Sequence, residues 1–203
     1  MKDSKTKYLV IGSLIVVFIL VLLISRIGKD SEDMGLFNKE SYLSGLHHVQ
    51  IEIEDYGVIE LELDADTAPI TVTNFIDLAK SGYYEGSRFH RIIKGFMMQG
   101  GIGEKEAKTI KGEFAANGIE NNISHVRGVI SMARANDKNS ASSQFFIVHK
   151  DYPSLDGNYA GFGHVTKGIE VVDKVCESAE PIDNNGTIEY DKMPIITKVT
   201  VID

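Results

Sequence analysis

The run Phe89-His90-Arg91-Ile92-Ile93-Lys94-Gly95-Phe96-Met97-Met98-Gln99-Gly100-Gly101 is where the residue types of this chain come closest to chemistry. If Arg91 lies on a strand, alternation puts it on the same face as Phe89 and Ile93. A permanently charged guanidinium fits there only if that face opens on a cleft. On periodicity alone, the competing reading is a surface arginine at a strand edge. A second run, Ser131-Met132-Ala133-Arg134-Ala135 followed by Ser142-Ser143-Gln144-Phe145-Phe146-Ile147, has the same mixture of aromatic and amide side chains, and its Phe145-Phe146 pair reads as core. The usual constellations for covalent or metal chemistry are missing from the sequence: there is no H-E-x-x-H and no G-x-S-x-G. Six histidines are scattered, and Cys176, on the apolar side of a helix, is the single cysteine, a count that excludes an intramolecular disulfide and a zinc site built on cysteine pairs. Gly101-Ile102-Gly103 lacks the third glycine of a dinucleotide fingerprint. Asn122-Ile123-Ser124 and Asn185-Gly186-Thr187 match the glycosylation acceptor, a pattern frequent by chance.

These residues have to be positioned by many short strands. Val49, Ile51 and Ile53, then Ile59, Leu61 and Leu63, alternate with polar residues around Asp55-Tyr56-Gly57 and predict a hairpin with one apolar face. Pro69 in a first turn, Val72, Phe75, Ile76 and Ala79 at helical spacing, and Gly82 beyond them predict an amphipathic helix. Strands are expected at 89–93, 96–99, 129–133, 144–148, 161–165 and 195–202, with a second helix over 169–177. Without βαβ alternation this pattern points to an antiparallel barrel or sandwich. Residues 100–127 read as a long loop of the kind that often carries function.

The chain of 203 residues, 43% hydrophobic and 25% charged, suits one globular core. Its net charge of -8 and the lack of a lysine and arginine cluster argue against a nucleic-acid partner. Tyr8 to Ser25 is a run of 18 uncharged residues flanked by Lys2, Lys5 and Lys7 before and Arg26 and Lys29 after. As a helix it would span about 27 Å, close to the ~30 Å hydrocarbon core of a bilayer. The expected organisation is therefore a cytoplasmic amino terminus (1–7), a transmembrane signal anchor (8–25), a linker (26–46) and a domain (47–203) on the extracytoplasmic side, by the positive-inside rule. Secretion after signal cleavage is the alternative.

FHRIIKGFMMQGG, then Gly112-Glu113-Phe114, SMARA, SSQFFI, Leu155-Asp156-Gly157 and Phe162-Gly163-His164-Val165, in this order and spacing, resemble the cyclophilin family of peptidyl-prolyl isomerases over residues 47–203. The wording ARANDKNSASSQFFIV is similar to the bacterial branch. The resemblance implies a mainly β fold, a closed eight-stranded antiparallel barrel capped by two helices. It implies Arg91 as the catalytic residue, Gln99 as the side chain that positions it, and Phe96, Met97, Phe146 and Leu155 as the pocket for a proline ring. Ala133, Arg134 and Gln144 fall where the family contacts the substrate backbone, and His90 sits beside the arginine. Tyr159 stands where a histidine is common at the pocket rim, and its ring can still line the site. Ser154 stands where many members carry a tryptophan associated with cyclosporin, so weak cyclosporin binding is expected. No cofactor and no metal are implied. The partners expected are proline-containing polypeptide clients and, through the amino-terminal helix, a membrane, with the protein a monomer. The competing class is a proline-segment binding module or holdase chaperone on the same fold without turnover; a pure binder would have no use for the arginine.

Overall fold

A computed structural model describes residues 42–203. The expected amino-terminal segment, anchor and most of the linker lie outside the described residues. Among the described residues no helix is long and apolar enough to cross a membrane.

Eight antiparallel strands form one sheet: β1 (Leu46–Ile53), β2 (Gly57–Asp64), β3 (Arg91–Ile93), β4 (Met97–Gly100), β5 (Val129–Met132), β6 (Phe145–Val148), β7 (Gly161–Lys167) and β8 (Ile196–Val201). Among the described residues two α-helices, α1 (Pro69–Lys80) and α2 (Ile169–Ser178), accompany the sheet. The strand order is β3-β4-β6-β5-β7-β2-β1-β8. The β1–β2 hairpin pairs Val49 with Leu61 and Ile51 with Ile59, and all four are fully buried, as strict alternation requires. Its turn passes through Asp55 at φ +62, a conformation aspartate tolerates.

The expected closed barrel is corrected to a curled half-barrel. The edge strands β3 and β8 are not ladder partners. The seam is crossed only by an isolated bridge between Arg88 and Ile195 and by single bonds such as Phe89 N to Pro194 O at 2.9 Å. Phe89 and His90, expected in the strand, stay outside β3: Phe89 N donates to Pro194 O, and His90, although its N–H reaches Gln99 O on β4 at 3.1 Å, gives its carbonyl to Ile188 N, which belongs to no strand. The outer edge of β3 is taken instead by an isolated bridge from Arg91 to Thr187.

Helix α1 buries Val72, Phe75, Ile76 and Ala79 in the core. There Phe75 meets Phe145 edge-on, with ring centroids 5.5 Å apart, and packs on Tyr84 and Phe162. No side chain next to the helix caps its amino end. That role falls to the buried Glu113, far along the chain, whose carboxylate accepts Ile70 N (3.0 Å), Thr71 N (2.8 Å) and Thr71 Oγ1 (2.7 Å). These bonds tie the long 101–128 connection to the body of the fold. Helix α2 buries Cys176, and burial pushes its thiol up to about 12, the behaviour of a core thiol.

Strand β6 is buried on both faces. Phe145 and Ile147 belong to the main core, while Phe146 and Val148 form a second apolar cluster with Met97 and Val129. That second cluster is the floor of the site.

Candidate active site

The β3–β4 hairpin turns at Gly95, whose φ of +82 suits glycine alone at little cost. Gly95 N donates to Nδ1 of the buried His149 at 3.0 Å, so the turn is pinned to the end of β6. Across this hairpin Arg91 pairs with Gln99, and across the next ladder Gln99 pairs with Phe146. Registered neighbours on adjacent strands point to the same face, so these three side chains form a row. Ile93, Met97 and Val148 form the next row on that face.

Above the rows lies a cavity of about 130 Å³ lined by Arg91, Phe96, Met97, Gln99, Ala133, Arg134, Phe146, Leu155 and Tyr159. That volume is on the scale of the ~150 Å³ apolar cavity that takes up one benzene ring in another protein. Phe146 forms the floor, Phe96 and Leu155 the sides, and Tyr159 meets Phe146 edge-on at 5.8 Å. Tyr152 backs Phe96, with ring centroids 4.3 Å apart.

Arg91 is clamped from two sides. Its Nε donates to Asn185 O at 2.8 Å, and its Nη1 faces Gln99 Oε1 at 3.4 Å and Met97 Sδ at 3.9 Å. Gln99 is itself held, donating through Nε2 to Gln144 Oε1 at 3.1 Å. No hydrogen bond of Arg91 Nη2 is made among the described residues, which leaves a charged donor free at the cavity rim. Arg134 behaves differently. Its guanidinium donates to Asn158 O at 2.9 and 3.1 Å and lies over the rings of Phe114 and Tyr159, so it is a wall rather than a free donor.

Nine of the expected site residues thus meet at one cavity. Gln144 stands behind it, bonded to Gln99, and its carbonyl accepts Ala133 N at 2.9 Å. His90 is not brought to the cavity: its side chain lines a separate hollow with Arg88, Ile102 and Tyr190, and its Nδ1 is buried without a partner. Burial, with the charge of Arg91 adding to it, holds the His90 imidazole below its ordinary value. Ser154 is exposed on the short turn that leads into Leu155.

Two features of the site escape sequence reasoning. Beneath Phe146 the ring of His125 stacks at 6.0 Å, with its Nδ1 at 2.8 Å from Asp156 Oδ1 and its Nε2 at 3.0 Å from Ser131 Oγ. Burial keeps His125 below its ordinary value despite that carboxylate, so the ring is neutral, donates from Nδ1 to Asp156 and accepts the Ser131 hydroxyl at Nε2. The second is the Asn185 carbonyl on Arg91, 94 positions away in the chain. The Asn-Gly pair there signals a turn, and nothing local signals its target. Among the described residues no group of three or more His, Cys, Asp or Glu side chains is placed to hold a metal ion.

Fold and site together define a class: an antiparallel half-barrel that carries, on the face turned away from its main core, a ring-sized apolar cleft with one clamped guanidinium at the rim. A family model described as "Cyclophilin type peptidyl-prolyl cis-trans isomerase/CLD" matches residues 48–201, and the chain belongs to this family. It is 45% identical over 127 residues to peptidyl-prolyl cis-trans isomerase A of Dickeya dadantii, covering 60% of this chain and 67% of that protein. It is 44% identical over 123 residues to peptidyl-prolyl cis-trans isomerase B of Bacillus subtilis, covering 58% and 82%. Among solved structures, a cyclophilin-type isomerase of Cryptosporidium parvum superposes with a TM-score of 0.67 at 29% identity, over 78% of this chain and 99% of that one. The structure of that isomerase in the presence of the dipeptide Ala-Pro gives a TM-score of 0.66 at 30% identity, over 77% and 99%. The activity of this protein is peptidyl-prolyl cis-trans isomerisation.

Proposed function

We propose that Arg91 makes the decisive contact of this isomerisation, with the proline ring of the client seated between Phe96, Met97, Phe146 and Leu155. The observation that carries this is the clamp on Arg91, which leaves donors free at the rim of a ring-sized apolar cleft. Rotation about an X-Pro bond breaks amide resonance, a barrier of roughly 20 kcal/mol. In the twisted transition state the proline nitrogen becomes pyramidal and regains its lone pair. A donor aimed at that nitrogen gains only there, so it lowers the barrier rather than tightening a planar ground state. Arginine stays charged and presents its donors in a fixed plane. The apolar walls anchor the ring and lower the local dielectric, which strengthens the contact. The client backbone runs along the edge made by Ala133, Arg134 and Gln144, and Tyr159 closes the rim.

By analogy with the loss of one preorganised donor, Arg91→Ala in the full-length chain lowers kcat/KM for a proline peptide by roughly 100- to 1000-fold. A loss below about threefold, with the variant folded, removes Arg91 from the reaction.

The same proposal places the enzyme at a membrane. The apolar run 8–25 with its lysine flank supports a single-pass anchor and an extracytoplasmic domain that acts on exported proteins, in a monomer of the bacterial branch. Protease added to intact, osmotically supported cells then removes the domain and leaves the anchor; full protection of the domain contradicts this orientation. The absence of tryptophan from the whole chain, with the exposed Ser154 before Leu155, supports weak cyclosporin binding, and a nanomolar affinity in a titration contradicts it.

A further inference from the structure

Residues 181–188 belong to no strand of the sheet, yet they form a small hairpin. Pro181 bridges Ile188, Ile182 N donates to Thr187 O at 2.9 Å, and Gly186 N donates to Asp183 O at 3.2 Å. The hairpin docks on the outer edge of β3: Ile92 N donates to Gly186 O at 2.8 Å and Ile188 N to His90 O at 3.0 Å. The fit is close. A Cβ on Gly186 would lie 2.4 Å from Ile93 Cγ1 and 2.8 Å from Ile92 O, and its φ is +86. Docked in this way, the tip holds the Asn185 carbonyl 2.8 Å from Arg91 Nε.

The tip is stiffened by one carboxylate. Asp183 Oδ1 accepts Asn185 N and Thr187 N, both at 3.0 Å, and Oδ2 accepts Thr187 Oγ1 at 2.8 Å. The bonds from Thr187 hold the Asp183 carboxyl below its ordinary value, so at neutral pH it is purely an acceptor for all three donors.

We propose that Asp183 is a positioning residue for isomerisation: by fixing the 183–187 tip it holds the Asn185 carbonyl on Arg91 Nε and so aims the free donors of the guanidinium at the client. The inference rests on the reading of Arg91 as the catalytic group. A guanidinium is planar, so fixing Nε fixes the plane in which both Nη atoms lie. The Gln99 contact at 3.4 Å is too long to set that plane alone. A donor that acts only in the transition state must be held close to its productive geometry, and a side chain as long as arginine needs an outside anchor for that.

The test uses the full-length protein and steady-state isomerisation of a proline peptide. Asp183→Ala is expected to lower kcat about tenfold with KM within twofold of wild type. Asp183→Asn, whose amide oxygen still accepts from the tip, is expected to restore kcat to within threefold. In an Arg91→Lys background, where no Nε fork remains to be aimed, Asp183→Ala is expected to cost less than a further twofold. The Arg91 Nε–H proton and nitrogen resonances are expected to move in Asp183→Ala and to stay near wild type in Asp183→Asn. Should Asp183→Ala not fold, Thr187→Val removes one of the three bonds and is expected to lower kcat by two- to threefold with the same non-additivity.

A wild-type kcat in Asp183→Ala overturns the proposal. So does a loss confined to KM, an Asn variant as poor as the Ala variant, or full additivity with Arg91→Lys. If Arg91→Ala is inactive while Asp183→Ala is normal, the positioning role falls and the Arg91 reading stands. If Arg91→Ala keeps activity within threefold, both fall.

Discussion

Gln99→Leu tests whether the guanidinium is steered by a network or by one anchor. The substitution keeps most of the volume and removes both polar contacts, the 3.4 Å approach to Arg91 Nη1 and the 3.1 Å bond to Gln144 Oε1. A well-formed hydrogen bond to a charged group is worth about 1.5–3 kcal/mol. The Arg91 contact is long and half-buried, which puts it near 1 kcal/mol, and the 2.8 Å anchor from Asn185 remains. At about 1.4 kcal/mol per tenfold change, the expected loss in kcat is roughly fivefold. Gln144 is left without its donor but lies close enough to solvent to bind water, so the melting temperature falls by only about 2–4 °C. The assay is protease-coupled cleavage of a proline peptide near 10 °C, where the uncatalysed reaction takes minutes and a fivefold change is well resolved. A loss above 100-fold would mean that Gln99 itself touches the reacting bond, and an unchanged kcat would mean that Asn185 alone aims Arg91. Either result refutes the reasoning.

Glu113→Ala strands three donors at the start of α1 in a buried setting and is expected to cost about 3 kcal/mol in urea unfolding; a cost under 1 kcal/mol removes Glu113 as the remote cap. Acid is expected to destabilise the fold in two stages. Burial holds His125, His149 and His90 below their ordinary values, so the unfolded chain takes up protons first; the stability these neutral rings carry is complete above about pH 6.5 and is lost as pH falls through their lower folded values. For His149 the loss has a visible cause, since a proton on Nδ1 displaces the Gly95 N–H that it accepts. The second stage lies below about pH 4, where an ordinary carboxyl in the unfolded chain takes up its proton while Asp183, held lower by its bonds from Thr187, resists, so the stability it carries is lost as pH falls further. Urea midpoints measured from pH 7.5 to 3 check both stages, and a midpoint that rises as pH falls from 6.5 to 5 contradicts the first.

Local patterning and long motifs were enough to recover much of this protein. Alternation at Val49–Ile53 and Ile59–Leu63 predicts the β1–β2 hairpin because one face must be buried, and Pro69 with Val72, Phe75, Ile76 and Ala79 marks α1 to its first residue. The FHRIIKGFMMQGG run reads well because β3, β4 and the turn between them are contiguous, so the spacing of Arg91, Phe96, Met97 and Gln99 in the chain is also their spacing in space. Periodicity misplaces what depends on the other end of the chain. Whether the sheet closes depends on what lies against β3, and that edge is occupied by residues 186–188. The side chain of His90 turns to the hollow with Arg88 and Tyr190, away from the cleft beside its neighbour Arg91. Residue type and local period determined which strands and helices form, and the resemblance of the long motifs singled out the side chains that line the cleft. Tertiary structure alone decided which backbone carbonyl grips Arg91, which distant carboxylate caps α1 and which buried imidazole underlies Phe146, because each of those contacts joins groups 21 to 94 positions apart, and no local pattern encodes a hydrogen bond or a ring stack across that separation.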